Sequence, residues 1–162
     1  MRRSLVTAVA ALGVLALMAP TAFAAITFHA GPTVTFSGST ATATANVSGL
    51  GTTPAFAQLT VNGFALYVCA NKGGNEAPGQ NPVPATGASP VQDLGNTAHN
   101  GRATVDVTAT LTAPLTISPQ TAGCPNGNWT ATLDSLTVTS ATLTITQGGV
   151  VIYEQTFDNP NN

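Results

Sequence analysis

The sequence predicts an all-β protein, built as a two-sheet antiparallel β-sandwich with an immunoglobulin-like topology, seven to nine strands and one disulfide. Apolar residues recur at every second position along most of the chain, as in half-buried strands. No stretch keeps helical spacing for more than one turn, and Gly, Asn and Pro separate the alternating runs. Many short strands in one domain favour a sandwich over a barrel.

The start of the chain has the organisation of an export signal. Two arginines follow the first methionine, an apolar stretch covers 5–18, and Ala-Phe-Ala at 22–24 is a small-x-small cleavage site. We therefore predict a signal peptide over 1–24 and a single secreted, extracellular β-sandwich domain over 25–162. Because no later segment approaches the roughly 18 apolar residues of a membrane helix, we expect no membrane span in the mature chain.

Charge is unusually sparse. Charged residues make up 6% of the chain, against about a quarter in an average protein. Beyond the predicted signal, only Lys72 and Arg102 are cationic, against six carboxylates. Nucleic-acid binding needs a field of Lys and Arg to displace counterions from phosphate, so this partner class is excluded.

The first half of the domain shows three alternating runs. Residues 33–36 and 40–47 alternate Thr with small or branched apolar residues and predict the first two strands. A third run at 57–61 is followed by Asn62-Gly63, after which the apolar residues take the opposite phase at 64–68. The Asn-Gly pair predicts either a type I′ turn between two strands or a β-bulge in one long strand, and we favour the bulge.

The middle of the chain contrasts a loop with a strand. The segment 71–90 is rich in Pro and Gly and has almost no large apolar residue, so we predict a long polar surface loop. The run at 103–111 has the clearest period-two alternation in the sequence. Proline residues bracket a short strand at 115–118, which we expect at a sheet edge because proline cannot donate to a ladder.

Three further strands are predicted at 129–133, 136–145 and 150–157. Gly148-Gly149 separates the last two runs and indicates a two-residue hairpin, because primed turns need positive φ. Together with the earlier runs, these strands complete the predicted sandwich.

Two cysteines, Cys69 and Cys124, remain in the mature chain. An even number in an oxidising compartment predicts one disulfide. His29 and His99 are the only other residues that commonly bind zinc with cysteine. The four residues lack the paired spacing of a zinc site, so we expect no metal and no cofactor.

The sequence around both cysteines resembles a group of small, uncharacterised secreted β-rich proteins of actinobacteria. The similar motifs are Cys-x-Asn-x-Gly-Gly-Asn over 69–75 and Gly-Cys-Pro-x-Gly over 123–127, and the resemblance covers roughly 49–157. It implies secretion and a β-rich fold, and it implies no particular activity.

Two features are candidate binding sites. Asn71, Asn75 and Glu76 form a candidate ligand or ion loop, because their oxygens lie beside flexible glycines. Calcium sites usually contain several carboxylates and this loop has only one, so a purely structural loop is the alternative. Trp129 is a candidate for stacking against a sugar, and burial of the ring in the core is its alternative.

Catalytic residues are not predicted. His29 and His99 are the only imidazole bases, and no G-x-S-x-G motif accompanies them. The sequence instead favours a secreted, non-enzymatic binding or assembly protein that acts through strand edges, the loop at 71–90 or the N-terminal arm at 25–36. Its expected partners are other secreted proteins, bound by β-strand pairing. A carbohydrate- or calcium-binding module and, less favoured, a secreted hydrolase are the alternatives.

Overall fold

The computed structural model describes residues 26–95 and 101–161, so the predicted signal peptide and His99 lie outside the described residues. Within these residues the chain forms ten strands, rather than the seven to nine predicted, and one short helix. No helix among them is long and apolar enough to cross a membrane. The elements are β1 (Thr27–Ser37), β2 (Thr40–Ser48), β3 (Ala55–Ala70), β4 (Glu76–Pro78), β5 (Val83–Ala88), β6 (Gln92–Asp93), β7 (Ala103–Thr110), β8 (Thr116–Ile117), α1 (Pro119–Ala122), β9 (Thr130–Gln147) and β10 (Val150–Asp158).

The strands form two antiparallel sheets, which confirms the all-β, two-sheet prediction. The first sheet has the order β1-β2-β7. The second has seven strands: β10, β9 and β3 lie side by side, and β4, β5 and β6 pair in turn with the other edge of β3. The short strand β8 pairs with β9.

One apolar core lies between the sheets. Alternate residues of β2 and β7 are small or branched and meet alternate residues of β3 and β9. Leu59, Leu111 and Leu143 are among the largest fully buried side chains. Each such leucine contributes about 2 kcal/mol from removal of apolar surface from water, so the period-two pattern is what holds the two sheets together.

The Asn62-Gly63 pair lies inside one continuous strand, so the prediction of one long strand is confirmed, but the bulge is on the partner strand β9 and not on β3. The register between β3 and β9 shifts at this point, and Thr139 of β9 is the extra residue. A Cβ at Gly63 would lie 2.0 Å from the carbonyl oxygen of Thr137. Glycine is therefore required where β9 crosses closest to β3.

The expected change of phase after Gly63 does not occur. Ala65 and Tyr67 continue the buried face, whereas Phe64 and Leu66 are 42% and 39% exposed. The extra residue is on β9, so the alternation of β3 itself is unchanged. The apolar side chains of this half-strand therefore lie on the outer face of the sheet.

The prediction of a continuous loop over 71–90 is wrong in part, because β4 and β5 lie within it. The physical reason is the long edge of β3, whose backbone groups need partners once they are buried. Ser89 supplies such partners to Leu59 of β3. The Ser89 N–H donates to the Leu59 carbonyl at 2.8 Å, and the Ser89 hydroxyl accepts from the Leu59 N–H at 3.0 Å. The segment covers a sheet edge.

The two strands predicted at 129–133 and 136–145 are a single strand, β9. Asp134, which lies between the two predicted strands, is a second extra residue in the register with β3. Gly148 and Gly149 form the predicted hairpin turn, with φ values of 56° and 80°. The bulges allow β9 to run along β3 without interruption.

Candidate functional site

The predicted disulfide is present between Cys69 and Cys124, with a Cα–Cα distance of 5.7 Å. It joins the end of β3 to the segment that precedes β9. The short helix α1 fixes this segment: the Ser118 hydroxyl accepts from the Thr121 N–H, and Gly123 ends the helix with φ 70°. The Cys124 N–H then donates to the Pro119 carbonyl at 2.8 Å, which directs Cys124 towards β3.

Two loops meet beside the disulfide and form what we call the disulfide cleft, an open cavity of about 560 Å³. One loop follows Cys69 and the other follows Cys124. The structure therefore brings together two candidates predicted separately, Asn71 and Trp129. The cleft is lined by Asn71, Lys72, Gly73, Asn126, Asn128 and Trp129.

Asn71 organises the first loop. Its Oδ1 accepts from the N–H groups of Gly73 at 2.8 Å and Asn75 at 3.0 Å, and from the Asn75 amide at 3.4 Å. Two backbone donors at one atom fix that atom as the oxygen and leave Nδ2 as the free end of the amide. The predicted loop oxygen is thus used to hold the loop.

The second loop repeats this arrangement. The Asn126 Oδ1 accepts from the Asn128 N–H at 3.0 Å, and the Trp129 N–H donates to the Asn126 carbonyl at 3.4 Å. The Trp129 ring is partly buried against the core and also lines the cleft. The Trp129 side chain therefore packs partly against the core and partly faces the cleft, and stacking against a sugar stays a prediction.

Glu76 is separated from the other two residues of the predicted ion loop. It lines a different cavity of about 330 Å³ on the outer face of the large sheet, together with Leu66, Val68 and Asp134. Lys72 is exposed and forms no ion pair with any described residue. In the described part of the chain no three His, Cys, Asp or Glu side chains cluster as a metal site would require.

Sequence reasoning did not select Lys72, Asn126 or Asn128 as residues of one site. The signal was present in the cysteine pairing, because residues shortly after each half-cystine must lie near each other once the bond forms. The spacing of polar residues after Cys69 and Cys124 could therefore have indicated the cleft.

His29 lies in an exposed cavity elsewhere, and its Nε2 is 2.6 Å from the Ser48 hydroxyl. The pair has two of the three groups of a catalytic triad. The third group is a carboxylate, and the residues that line this cavity, which include Arg102, carry none. His99, the other candidate base, lies outside the described residues.

One side of the molecule has covered strand edges. Gln92 closes the edge of β7: its Nε2 donates to the Thr104 carbonyl at 3.2 Å, and its Oε1 accepts from the Asp106 N–H at 2.9 Å. A side-chain amide thus takes the place of a neighbouring strand. Together with β4, β5 and β6 along β3, it forms what we call the covered side.

The opposite side, which we call the open side, is formed by β1 and β10. Among the described strands, β1 pairs only with β2 and β10 only with β9. The rings of Phe28 and Tyr153 lie 4.6 Å apart between centroids, so the two unpaired edges are neighbours. The Tyr153 hydroxyl donates to Gln155 Oε1, and burial raises the pKa of Tyr153.

Comparison of the chain with protein-family models, with curated proteins and with solved structures finds no match. The geometry of the cleft and of the strand edges is therefore the basis for assigning a function.

Proposed function

We propose that this chain is a secreted, non-enzymatic binding or assembly protein that accepts an extended strand of another secreted protein along the free edge of β1. The observation that carries the proposal is the open edge itself. The strand has 11 residues, from Thr27 to Ser37, and none of them is Lys, Arg, Asp or Glu.

An unpaired strand edge is a template for another strand, and proteins that avoid pairing place charges there or cover the edge. On the covered side this chain uses strands and the Gln92 amide. On the open side β1 carries no charged residue and no described strand covers it, and from Thr33 to Ser37 its register with β2 is regular, whereas Pro32 and two register shifts interrupt the edge before Thr33. Val34 and Phe36 are half-buried beneath the edge and offer apolar contact to the side chains of an added strand.

The edge of β10 is the weaker acceptor of the two. It carries Glu154 and Asp158, whose carboxylates oppose the approach of another acidic strand. A partner strand therefore finds lower electrostatic opposition along β1 than along β10.

Secretion and the immunoglobulin-like topology are parts of this proposal. A disulfide is typical of proteins in oxidising compartments, which supports an extracellular location. Two packed antiparallel sheets are the architecture on which immunoglobulin-like domains are built, so they agree with that topology.

Site-specific photo-crosslinking in the culture medium of the producing organism tests the proposal. A photo-crosslinking amino acid in place of Thr35 should give a discrete adduct with another secreted protein, mapped to an extended segment of that partner. The same amino acid in place of Thr110, an exposed residue of the covered strand β7, should give none.

The double variant Thr33→Lys with Thr35→Lys should abolish the adduct, because two ammonium groups at the edge oppose strand addition. Both side chains are exposed, so the fold should be retained, as circular dichroism would show. Equal adducts from the β1 and β7 positions, or an adduct that survives both lysines, would contradict the proposal.

A further inference from the structure

We propose that the disulfide cleft is a binding site for an acidic saccharide, a sugar that carries a carboxylate, such as a uronic acid. This site is independent of the strand edges. It is carried by the donor character of its polar groups, by the unpaired charge of Lys72 and by the ring of Trp129.

The amides of Asn71 and Asn126 present donors to the cleft. The Asn71 oxygen accepts three hydrogen bonds within its loop, so the group that this amide can still offer to a ligand is its NH₂, and the NH₂ of Asn126 is a second donor because its oxygen faces the Asn128 N–H. Lys72 adds three N–H donors. A ligand that fits this set must be rich in acceptor oxygens, as a saccharide is.

The charge of the cleft selects an anionic ligand. Lys72 is the chain's only lysine, and no carboxylate is among the residues that line the cleft. A charge-assisted hydrogen bond from an ammonium to a carboxylate is about twice as strong as a neutral one. A neutral sugar would leave that interaction unmade.

The same arrangement disfavours a calcium ion in this loop. Calcium takes six to eight oxygen ligands, mostly carboxylates and carbonyls. Here the Asn71 oxygen is occupied by three loop hydrogen bonds, Glu76 lines another cavity, and the ammonium of Lys72 repels a cation. The loop therefore suits an anionic ligand rather than the calcium ion that the sequence suggested.

Trp129 supplies the apolar wall. Binding sites for small molecules combine apolar or aromatic surface with a few placed polar groups. The ring is partly buried against the core, so little freedom is lost when a flat sugar face packs on it. Trp129 is also the only tryptophan of the chain, so its fluorescence reports on this cleft alone.

Fluorescence titration of the intact secreted protein tests the assignment. Trigalacturonic acid should shift the Trp129 emission in a saturable way. Maltotriose, a neutral sugar of the same length, and inorganic phosphate should each bind about tenfold more weakly or not at all, because each lacks one of the two recognised features. Equal binding of maltotriose or of phosphate would overturn the proposal, as would no response to trigalacturonic acid.

Two variants of equal charge provide the matched control. Lys72→Ala should weaken trigalacturonic acid binding about tenfold, because it removes the charge-assisted bond. Arg102→Ala removes one cation outside this cleft and should leave affinity within about twofold. Equal losses in both variants would show non-specific attraction and would overturn the site.

Calorimetry extends the test to the aromatic wall. Trp129→Phe should retain the fold and weaken binding about threefold to tenfold, because a smaller ring gives less contact. Unchanged affinity in Trp129→Phe would contradict the proposed contact between the Trp129 ring and the sugar. The Lys72→Ala result does not depend on how well the tryptophan variant folds, since Lys72 is an exposed loop residue.

Discussion

The covered side and the open side have the same sparse charge but present their strand edges differently. On the covered side, hydrogen bonds from Ser89 and Gln92 occupy the edges of β3 and β7. On the open side, the edges of β1 and β10 are not paired with any other described strand. The difference shows that a chain poor in lysine can still protect an edge, and that it does so on one side only.

The disulfide belongs to the covered side. The loop that it closes runs from Cys69 to Cys124 and contains β4, β5, β6 and β7, whereas β1 and β10 lie outside it. The covalent constraint therefore acts on the segment that covers the edges.

The largest expected effect follows from removing this constraint. The double variant Cys69→Ala with Cys124→Ala should lower the free energy of unfolding by about 4 kcal/mol, because a loop of this length gains that much chain entropy when it is opened. Urea denaturation followed by circular dichroism measures the change. A loss below about 1 kcal/mol would mean that the hydrogen bonds of the covered side hold it without the disulfide.

The second effect tests the close packing of β5 on β7. A Cβ at Gly87 would lie 1.9 Å from the Thr110 carbonyl oxygen, so Gly87→Ala must push the two strands apart. We expect a loss of about 2–3 kcal/mol. Gly51→Ala is the control: its Cβ would meet only the Gln147 amide at 3.8 Å, and stability should stay within about 0.5 kcal/mol. Similar losses in both variants would contradict the packing.

The third effect converts a covered edge into an open one. Gln92→Met keeps the side-chain length but removes both hydrogen bonds to β7, which should cost about 1–2 kcal/mol. The freed edge should also raise self-association, which sedimentation velocity measures at increasing protein concentration. Gln80→Met loses only a local bond to the Pro78 carbonyl and should change neither property. If Gln92→Met self-associates no more than the parent protein does, the amide does not protect the edge.

The smallest effect concerns the open side. Burial raises the pKa of Tyr153, so folding favours its protonated form. The contribution of Tyr153 to the free energy of unfolding is fully present below the ordinary tyrosine pKa of about 10, and it is lost as the pH rises through the raised pKa of the folded protein. Urea unfolding between pH 8 and about 11 should therefore show a shallower alkaline decline for Tyr153→Phe than for the parent protein. Parallel declines would refute the assignment.

The features that depend on local pattern could be predicted from the sequence. Alternation at 40–47 and 103–111 predicted β2 and β7, because a half-buried strand must place every second side chain inside. Gly148-Gly149 predicted its turn for a similar local reason, the need for positive φ. The cysteine count predicted the disulfide.

Features that depend on distant partners could not be predicted in this way. Phe64 and Leu66 are residue types typical of a core, yet Ala65 and Tyr67 occupy the interior. This follows from the position of the bulge on β9, which leaves the alternation of β3 unchanged. Gln92 is a residue type common on protein surfaces, so its sequence context does not single it out. Its role in covering the edge of β7 depends on hydrogen bonds to two backbone groups of that strand. The polar segment at 71–90 forms β4 and β5 because its backbone pairs with the edge of β3, a partner that local sequence does not reveal.

The candidate cleft lies between these cases. Asn71 and Trp129 were chosen from the sequence for separate reasons, and their meeting follows from the disulfide. The donor character of the site could not be predicted, because it depends on which end of each amide the loop backbone occupies.

The pairing of β3 with β9 also bears on how fast the chain folds. Ala55 lies opposite Gln147 and Ala70 opposite Thr130, so every rung of this central ladder joins distant parts of the sequence. Ladders of such high contact order form slowly, typically in milliseconds to seconds, because the intervening chain must close before any contact stabilises it. The central ladder therefore cannot form until β9 has been synthesised, whereas β1 and β2 can pair earlier.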